Sequence, residues 1–195
     1  MRLFLTGGTG FIGSHVLAAA LAAGHQVLAL RRSPASAPVI PLPRQPQWCE
    51  GDLLTLAAPQ LQGVEVVLHL ASAGVSPKQV PWAELVQANV ASSLRLLELA
   101  AEAEVRRCVV TGTSHEYGNA ARRFAAIPPD APLEPLSAYG ASKAAAFQLC
   151  CAPSPSSGAW SSSTAASSRP MARASSPATS GPPCGAPPWL GRISP

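Results

Sequence analysis

The chain has 195 residues and a formal net charge of +4, but three of its 14 basic residues lie after Cys150, where no acidic residue occurs, so residues 1–150 carry only +1. No basic stripe interleaved with aromatic residues occurs, which argues against a nucleic-acid partner, and five cysteines without a C-x-x-C pair argue against a disulfide framework or a metal site. Because no apolar run reaches the roughly 18 residues of a membrane helix and glycines interrupt the amino-terminal run, we expect a cytoplasmic protein without a membrane partner.

The amino-terminal stretch MRLFLTGGTGFIGSHV predicts a strand over residues 2–5, a tight turn and the start of a helix. Gly8, Gly10 and Gly13 fit the dinucleotide-binding pattern G-x-G-x-x-G, and Gly7, Gly10 and Gly13 fit a G-x-x-G-x-x-G version equally well. Such glycines allow a sharp exit from the strand, close approach of a pyrophosphate and tight packing of the helix on the strand. An ordinary glycine-rich turn is the alternative.

The segment TGGTGFIGSHV resembles the nucleotide-binding start of the extended short-chain dehydrogenase/reductase family, the NAD(P)-dependent epimerases and dehydratases. The resemblance implies that Gly7, Gly10, Phe11, Ile12 and Gly13 contact an NAD(P) cofactor. The backbone N–H groups at the start of the following helix would then face the pyrophosphate.

The second strand is predicted at Gln26–Leu30, after a C-cap glycine at Gly24. NAD-binding members of such folds carry an acidic residue at the end of this strand, which binds the ribose hydroxyls. This chain has Arg31 and Arg32 there instead. Guanidinium groups suit a 2′-phosphate, so we expect NADP(H) to be favoured over NAD(H). The alternative is that Arg31 and Arg32 are solvated loop charges without a role in coenzyme binding.

The chain then predicts a proline-rich loop over Ser33–Gln47 and a third strand at Trp48–Glu50. In the resembled family an aspartate that follows a glycine at this place contacts the adenine. The resemblance implies that role for Asp52 and a cofactor contact for Leu53. Asp52 also suits the N-cap of a helix over Leu53–Ala58, and both roles can coexist.

A fourth strand is predicted at Val64–Leu70, with His69 expected to be packed or hydrogen-bonded in the core rather than catalytic. The residues at and after its end, Leu70, Ala71 and Ser72, are mostly small. We therefore expect a bound cofactor to lie close to them.

Apolar residues at helical spacing predict a long helix over Pro81–Glu104. Its Asn89 opens a stretch similar to the family's N-V-x-G-T helix. The resemblance implies that Asn89 supports the cofactor and the active site, and a plain surface asparagine is the alternative.

The fifth strand is predicted at Arg107–Gly112. The repeated β-α-β order and the right-handed crossover rule predict an α/β fold, a Rossmann-like doubly wound parallel sheet with helices on both faces.

Two segments carry the predicted chemistry. Tyr139 and Lys143 have the Y-x-x-x-K spacing, which puts both side chains on one face of a helix, where the cation favours the phenolate form needed for acid–base work. Directly after the fifth strand, Thr113 begins a segment similar to the family's S/T-x-x-x-Y-G, whose first hydroxyl hydrogen-bonds the reacting oxygen. Ser114 is the adjacent alternative, and an ordinary strand-to-loop turn is another.

These residues imply hydride transfer between a nicotinamide ring and a carbinol or ketone carbon, with Thr113, Tyr139 and Lys143 as the catalytic set. The Y-G pair is most typical of relatives that act on nucleotide-activated sugars. Family 4,6-dehydratases carry an acidic residue just after the hydroxyl, where this chain has Ser114 and His115. We therefore expect an epimerase or a keto-sugar reductase. A non-catalytic NAD(P)-binding module is the alternative.

The resemblance ends near Cys150, so we expect an incomplete Rossmann domain over residues 1–150. Residues 151–195 contain 12 Ser and 9 Pro without hydrophobic periodicity, which predicts a disordered tail. The switch from family-like to Ser/Pro-rich sequence falls inside a predicted helix, and a reading-frame shift that truncates the family sequence explains it. Translation of the DNA in its other frames would test this explanation. A natural Ser/Pro-rich tail is the alternative. Relatives commonly pair through the helices expected at Pro81–Glu104 and Ser137–Cys150, which implies a homodimer.

Overall fold

The computed structural model describes residues 1–75 and 79–151, and within them five parallel strands form one sheet. The predicted Ser/Pro-rich segment lies outside the described residues except for Cys151. The sheet order is β3-β2-β1-β4-β5, so the chain reverses its direction across the sheet between β1 and β4. The strands are β1 (Arg2–Thr6), β2 (Gln26–Arg31), β3 (Gln47–Glu50), β4 (Val66–His69) and β5 (Arg107–Val110). The predicted doubly wound parallel sheet is thereby confirmed.

Helices cover both faces of this sheet. Helix α1 (Phe11–Ala22) follows β1, and Gly24, with φ of +80°, ends it as predicted. The predicted helix over 81–104 forms in three joined parts, and the described chain ends in α4. These elements are α2 (Trp82–Leu85), a π-helical segment (Val86–Ala91), α3 (Ser92–Glu102) and α4 (Ala138–Cys151).

Alternation along the buried strands produces two hydrophobic cores, one on each face. Leu3 and Leu5 of β1 point toward Leu17 and Leu21 of α1. Phe4, between them, points to the other face, where the core includes Leu28, Leu61, Leu96 and Leu99. Because both faces of β1 are buried, the strand is apolar at every one of these positions.

The predicted helix over Leu53–Ala58 does not form. The Asp52 carboxylate accepts the Leu54 N–H at 2.9 Å and closes a turn instead. Pro59 lacks an N–H to donate to the preceding turn, so a helix has no favourable continuation there. A short 3₁₀ helix (Ala58–Leu61) follows. None of the helices in 1–75 and 79–151 has the length and apolar character needed to cross a bilayer.

Candidate functional site

The glycine turn after β1 is packed too tightly for side chains. Gly7 has φ of +74°, and a Cβ there would lie 2.6 Å from the backbone N of Ala71. A Cβ at Gly13 would lie 1.9 Å from the carbonyl oxygen of Gly7. The Ser14 hydroxyl donates to the carbonyls of Gly8 and Gly10 at 3.0 and 2.7 Å. These contacts fix the start of α1 against the end of β1.

A cleft of about 650 Å³ opens above this turn, at the carboxyl ends of β1, β2 and β4. It lies at the switch point of the sheet, the place where doubly wound folds bind ligands. Nine of the predicted cofactor-binding residues line it: Gly7, Gly10, Arg31, Arg32, Asp52, Leu53, Leu70, Ala71 and Ser72. Glu84 and Gln87 also line the cleft and had no signal in the sequence beyond helical spacing.

Four other predicted cofactor residues, near the turn and in the long helix, are not among the described residues that line the cleft. Phe11 and Ile12 begin α1 with 73% and 64% of their surface exposed, and Gly13 is buried against Gly7. Asn89 lies behind Ser72 and Ala73. Their part in cofactor binding stays a prediction.

Arg31 at the end of β2 is engaged by β3. Its Nη2 donates to Oε1 of Glu50 at 2.7 Å, and its guanidinium carbon lies 4.7 Å from the centre of the Trp48 ring. The pairing follows from the strand register, which sets Arg31 opposite Glu50. Within the described part of the chain, the buried Nε of Arg31 has no hydrogen-bond partner. Arg32 is exposed at the cleft wall.

Asn89 joins the cleft to α4 from a buried position, so it is not a surface asparagine. Its Oδ1 accepts the Ala73 N–H at 2.8 Å and the Ser72 hydroxyl at 3.2 Å. Its Nδ2 donates to the Ala73 carbonyl at 3.0 Å and to the Ser142 hydroxyl at 2.9 Å. Ser142 donates in turn to the carbonyl of Tyr139 at 2.8 Å. The side chain of Asn89 is therefore fully used in positioning other groups.

Tyr139 packs against Gly74 in the wall of the cleft but is not itself among the residues that line the cleft. A Cβ added at Gly74, which lines the cleft, would come within 3.2 Å of Cδ2 of Tyr139. The Tyr139 ring meets the His115 ring edge-on, with 5.8 Å between centroids. One turn further along α4, Lys143 is only 4% exposed. It lines a small cavity beside β5 instead of the main cleft.

Thr113 is held just after the carboxyl end of β5 by Glu116, a residue to which sequence reasoning gave no role. The Thr113 N–H donates to Oε1 of Glu116 at 2.8 Å, and the Thr113 hydroxyl accepts the His115 N–H at 3.4 Å. Thr113 and Glu116 thus form a capping box around a single 3₁₀ turn (Ser114–Glu116). The signal was present, since Thr-x-x-Glu is the sequence signature of this motif.

Glu116 and Lys143 are two ionisable groups that line the same small cavity. Glu116 is 1% exposed. Burial raises the pKa of Glu116, while the Thr113 N–H and the Lys143 ammonium lower it. Burial lowers the pKa of Lys143, and the Glu116 carboxylate opposes that shift. Each charge therefore makes the other easier to keep ionised below the protein surface.

His69 is the hydrogen-bonded core histidine that the sequence predicted. Its Nδ1 lies 2.7 Å from the Thr6 hydroxyl and its Nε2 lies 2.9 Å from the Ser93 hydroxyl. Ser93 donates to the carbonyl of Asn89 at 2.7 Å, so it accepts from a protonated Nε2. Burial, with a smaller contribution from Lys143, lowers the pKa of His69 to about 3. The imidazole is a neutral structural link between β1, β4 and α3.

The doubly wound sheet and the glycine turn define the class of Rossmann-like, dinucleotide-binding folds. The sequence profile of the NAD dependent epimerase/dehydratase family matches residues 3–164, and the chain belongs to this family. The match continues past position 150, near which we expected the resemblance to end.

Individual relatives support the same family assignment. UDP-glucose 4-epimerase of Azospirillum brasilense is 33% identical over 161 residues, covering 76% of this chain and 43% of the relative. dTDP-6-deoxy-L-talose 4-dehydrogenase (NAD(P)(+)) of Kitasatospora kifunensis is 36% identical over 154 residues, covering 75% of this chain and 46% of the relative. The solved structure of MoeE5 in complex with UDP-glucose and NAD is 34% identical in sequence and has a TM-score of 0.65. The match covers 76% of this chain and 48% of the MoeE5 chain. The chain spans about half the length of the curated relatives it matches.

Proposed function

We propose that the chain binds NAD(P) in the cleft and contributes to hydride transfer on a nucleotide-activated sugar. The observation that carries this proposal is the position of Tyr139 against Gly74, in the wall of the cleft that also contains the Gly7–Gly10 turn. The glycine turn and Gly74 thus belong to one cleft wall, and Tyr139 packs against Gly74. The residues present fit the coenzyme, since a Cβ at Gly7 or Gly13 would collide with neighbouring backbone and close the turn on which a pyrophosphate would rest.

In this proposal the bound coenzyme supplies the hydride acceptor or donor, and the protein aligns the reacting groups. Tyr139 exchanges the proton of the sugar oxygen, and the Thr113 hydroxyl hydrogen-bonds the same oxygen. The resemblance assigns the nicotinamide ribose to Lys143, which lines the small cavity beside β5 in this structure. The pyrophosphate site is formed by Gly10, Gly13 and the first turn of α1. The adenine is contacted by Asp52 and Leu53. Asn89 holds the loop after β4 through Ser72 and Ala73.

We favour an epimerase or a keto-sugar reductase over a 4,6-dehydratase, because Ser114 and His115 follow Thr113 where those dehydratases carry an acid. The relatives include proteins named as a 4-epimerase and as a 4-dehydrogenase of nucleotide sugars, and MoeE5 was solved with UDP-glucose. For the coenzyme we favour NADP(H) on the strength of Arg31 and Arg32, although MoeE5 was solved with NAD.

We further propose that residues 1–150 are the NAD(P)-binding domain and residues 151–195 a Ser/Pro-rich tail, that the protein is cytoplasmic, and that two copies pair through α2, α3 and α4. A sedimentation experiment on the full chain tests the pairing.

The decisive experiment compares Tyr139→Phe with the wild-type chain. In a fluorescence titration we expect the variant and the wild type to differ by less than about twofold in their affinity for NADPH and in their affinity for NADH, because Tyr139 is not among the residues that line the cleft. Turnover of a panel of UDP-, dTDP- and GDP-sugars should fall about 100-fold or more, the usual scale for loss of a general acid or base.

The matched control is Tyr117→Phe, which removes the hydroxyl of the chain's other tyrosine, a buried core residue, and should leave turnover unchanged. Coenzyme binding without turnover in the wild type favours the non-catalytic module, a second candidate that the burial of Lys143 outside the cleft lining supports. The absence of coenzyme binding contradicts the proposal.

A further inference from the structure

Glu50 places a carboxylate beside the arginine that the sequence assigns to the coenzyme. The Arg31 side chain is 17% exposed and donates to Oε1 of Glu50 at 2.7 Å, while the Glu50 side chain is 47% exposed at the end of β3. Trp48 covers one side of the same guanidinium. Arg31 lines the cleft, so it is held in place by β3 residues before any ligand arrives.

This arrangement treats the two coenzymes differently. The 2′-phosphate of NADPH carries a charge of about −1.5 to −2 near neutral pH. To bind Arg31 it must share the guanidinium with the Glu50 carboxylate and approach a like charge. NADH has an uncharged hydroxyl at that position, so Glu50 does not repel it. Arg32 lies in the same wall and makes no ion pair within the described part of the chain, so its charge is available.

We propose that Glu50 sets the coenzyme preference of this site: it restrains Arg31 and repels a 2′-phosphate, and Arg32 supplies most of the attraction for that phosphate. This inference rests on the proposed function, because it requires the cleft to bind NAD(P). It adds a specificity-determining residue on β3, outside the glycine turn and the arginine pair.

The test is a fluorescence titration of the full chain with NADPH and with NADH separately. Glu50→Gln keeps the shape of the side chain and removes its charge, so NADPH should bind about fivefold more tightly, the scale of one exposed charge interaction. NADH affinity should change less than about twofold, since its ribose carries no phosphate. Glu50→Asp retains the charge and should stay near the wild type. Arg32→Ala should weaken NADPH about fivefold and leave NADH unchanged.

Glu98→Gln is the matched control, because Glu98 also pairs with an arginine, at 3.8 Å, on the exposed face of α3. It should change neither affinity. In an Arg31→Gln background the gain from Glu50→Gln should shrink, which a change in folding alone would not produce.

The outcomes separate the two proposals. If the wild type binds both coenzymes but Glu50→Gln leaves their affinity ratio unchanged, the role of Glu50 is refuted and the proposed function stands. If the gain persists in full without Arg31, the restraint on Arg31 is refuted. If the wild type and every variant bind neither coenzyme, the proposed function fails and this inference fails with it.

Discussion

The glycine turn at one end of the cleft is made from neighbouring residues, whereas the Tyr139 end is assembled from segments that are far apart in the chain. Gly7, Gly13 and Ser14 fix the turn through backbone contacts and one hydroxyl. At the other end Asn89 bonds to Ser142 across 53 positions of sequence.

The two ends therefore differ in what limits them. In the turn the limit is space, because a single methyl group would overlap backbone atoms. Around Asn89 and Glu116 the limit is the satisfaction of buried polar groups, each of which costs stability when it loses a partner. Substitutions that add volume should harm the first end most, and substitutions that remove a polar group should harm the second.

The largest expected effect is that of Gly13→Ala. The added Cβ would lie 1.9 Å from the Gly7 carbonyl oxygen, and neither backbone segment can move without opening the turn. We expect a loss of about 3 kcal/mol in the free energy of unfolding and no measurable coenzyme binding. Urea unfolding and NADH titration measure the two effects.

Gly24→Asn is the control for this substitution. Gly24 has φ of +80° with nothing within 4 Å of an added Cβ, and asparagine tolerates that conformation. Its cost should stay below about 1 kcal/mol, with coenzyme binding unchanged. Equal costs for the two variants would mean that space does not limit the turn.

Asn89→Ala tests the polar end. The substitution removes the hydrogen-bond partner of the Ala73 N–H and carbonyl, and the Ser142 hydroxyl keeps only its bond to the Tyr139 carbonyl. We expect a loss of about 2 kcal/mol in the free energy of unfolding. The exposed Asn119 provides the control, because Asn119→Ala should cost less than about 0.5 kcal/mol. A small loss at Asn89 would show that water replaces its hydrogen bonds.

The difference between the two ends also explains what the sequence could predict. The strands and the glycine turn are local patterns, so apolar runs such as Leu3–Leu5 and the spacing of Gly7, Gly10 and Gly13 indicated both. The role of His69 was predictable too, because a lone histidine inside an apolar strand is most simply a core residue.

Long-range pairings had no such signal. The engagement of Arg31 depends on the register of β2 with β3, which sets Glu50 opposite it, and no local pattern fixes that register. The burial of Asn89 depends on Ala73 and Ser142, from two other segments. For residues Leu53–Ala58 the N-cap signal of Asp52 favoured a helix, but the missing N–H of Pro59 favours the turn that forms.

The smallest expected effect is a loss of stability on mild acidification, caused by His69 at the polar end. Burial lowers the pKa of His69 to about 3 in the folded protein, whereas the unfolded chain should titrate near 6.5. Between these pH values the unfolded state binds a proton that the native state does not bind, so the free energy of unfolding falls as the pH falls from about 6.5 toward 3. From pH 6.5 to pH 5.5 the loss should approach about 1 kcal/mol.

Glu116 acts in the opposite direction over part of this range. Burial raises its pKa above the ordinary value of 4.5, so the native state binds the extra proton between 4.5 and the raised pKa. Urea unfolding at pH 7.5 and 4.5 should therefore show a larger loss of stability in Glu116→Gln than in the wild type, while His69→Gln reduces the loss. His15→Gln, an exposed control, should leave the slope unchanged. If His69→Gln keeps the wild-type slope, the buried imidazole is not what couples folding to pH, and the contrast between the two ends of the cleft weakens accordingly.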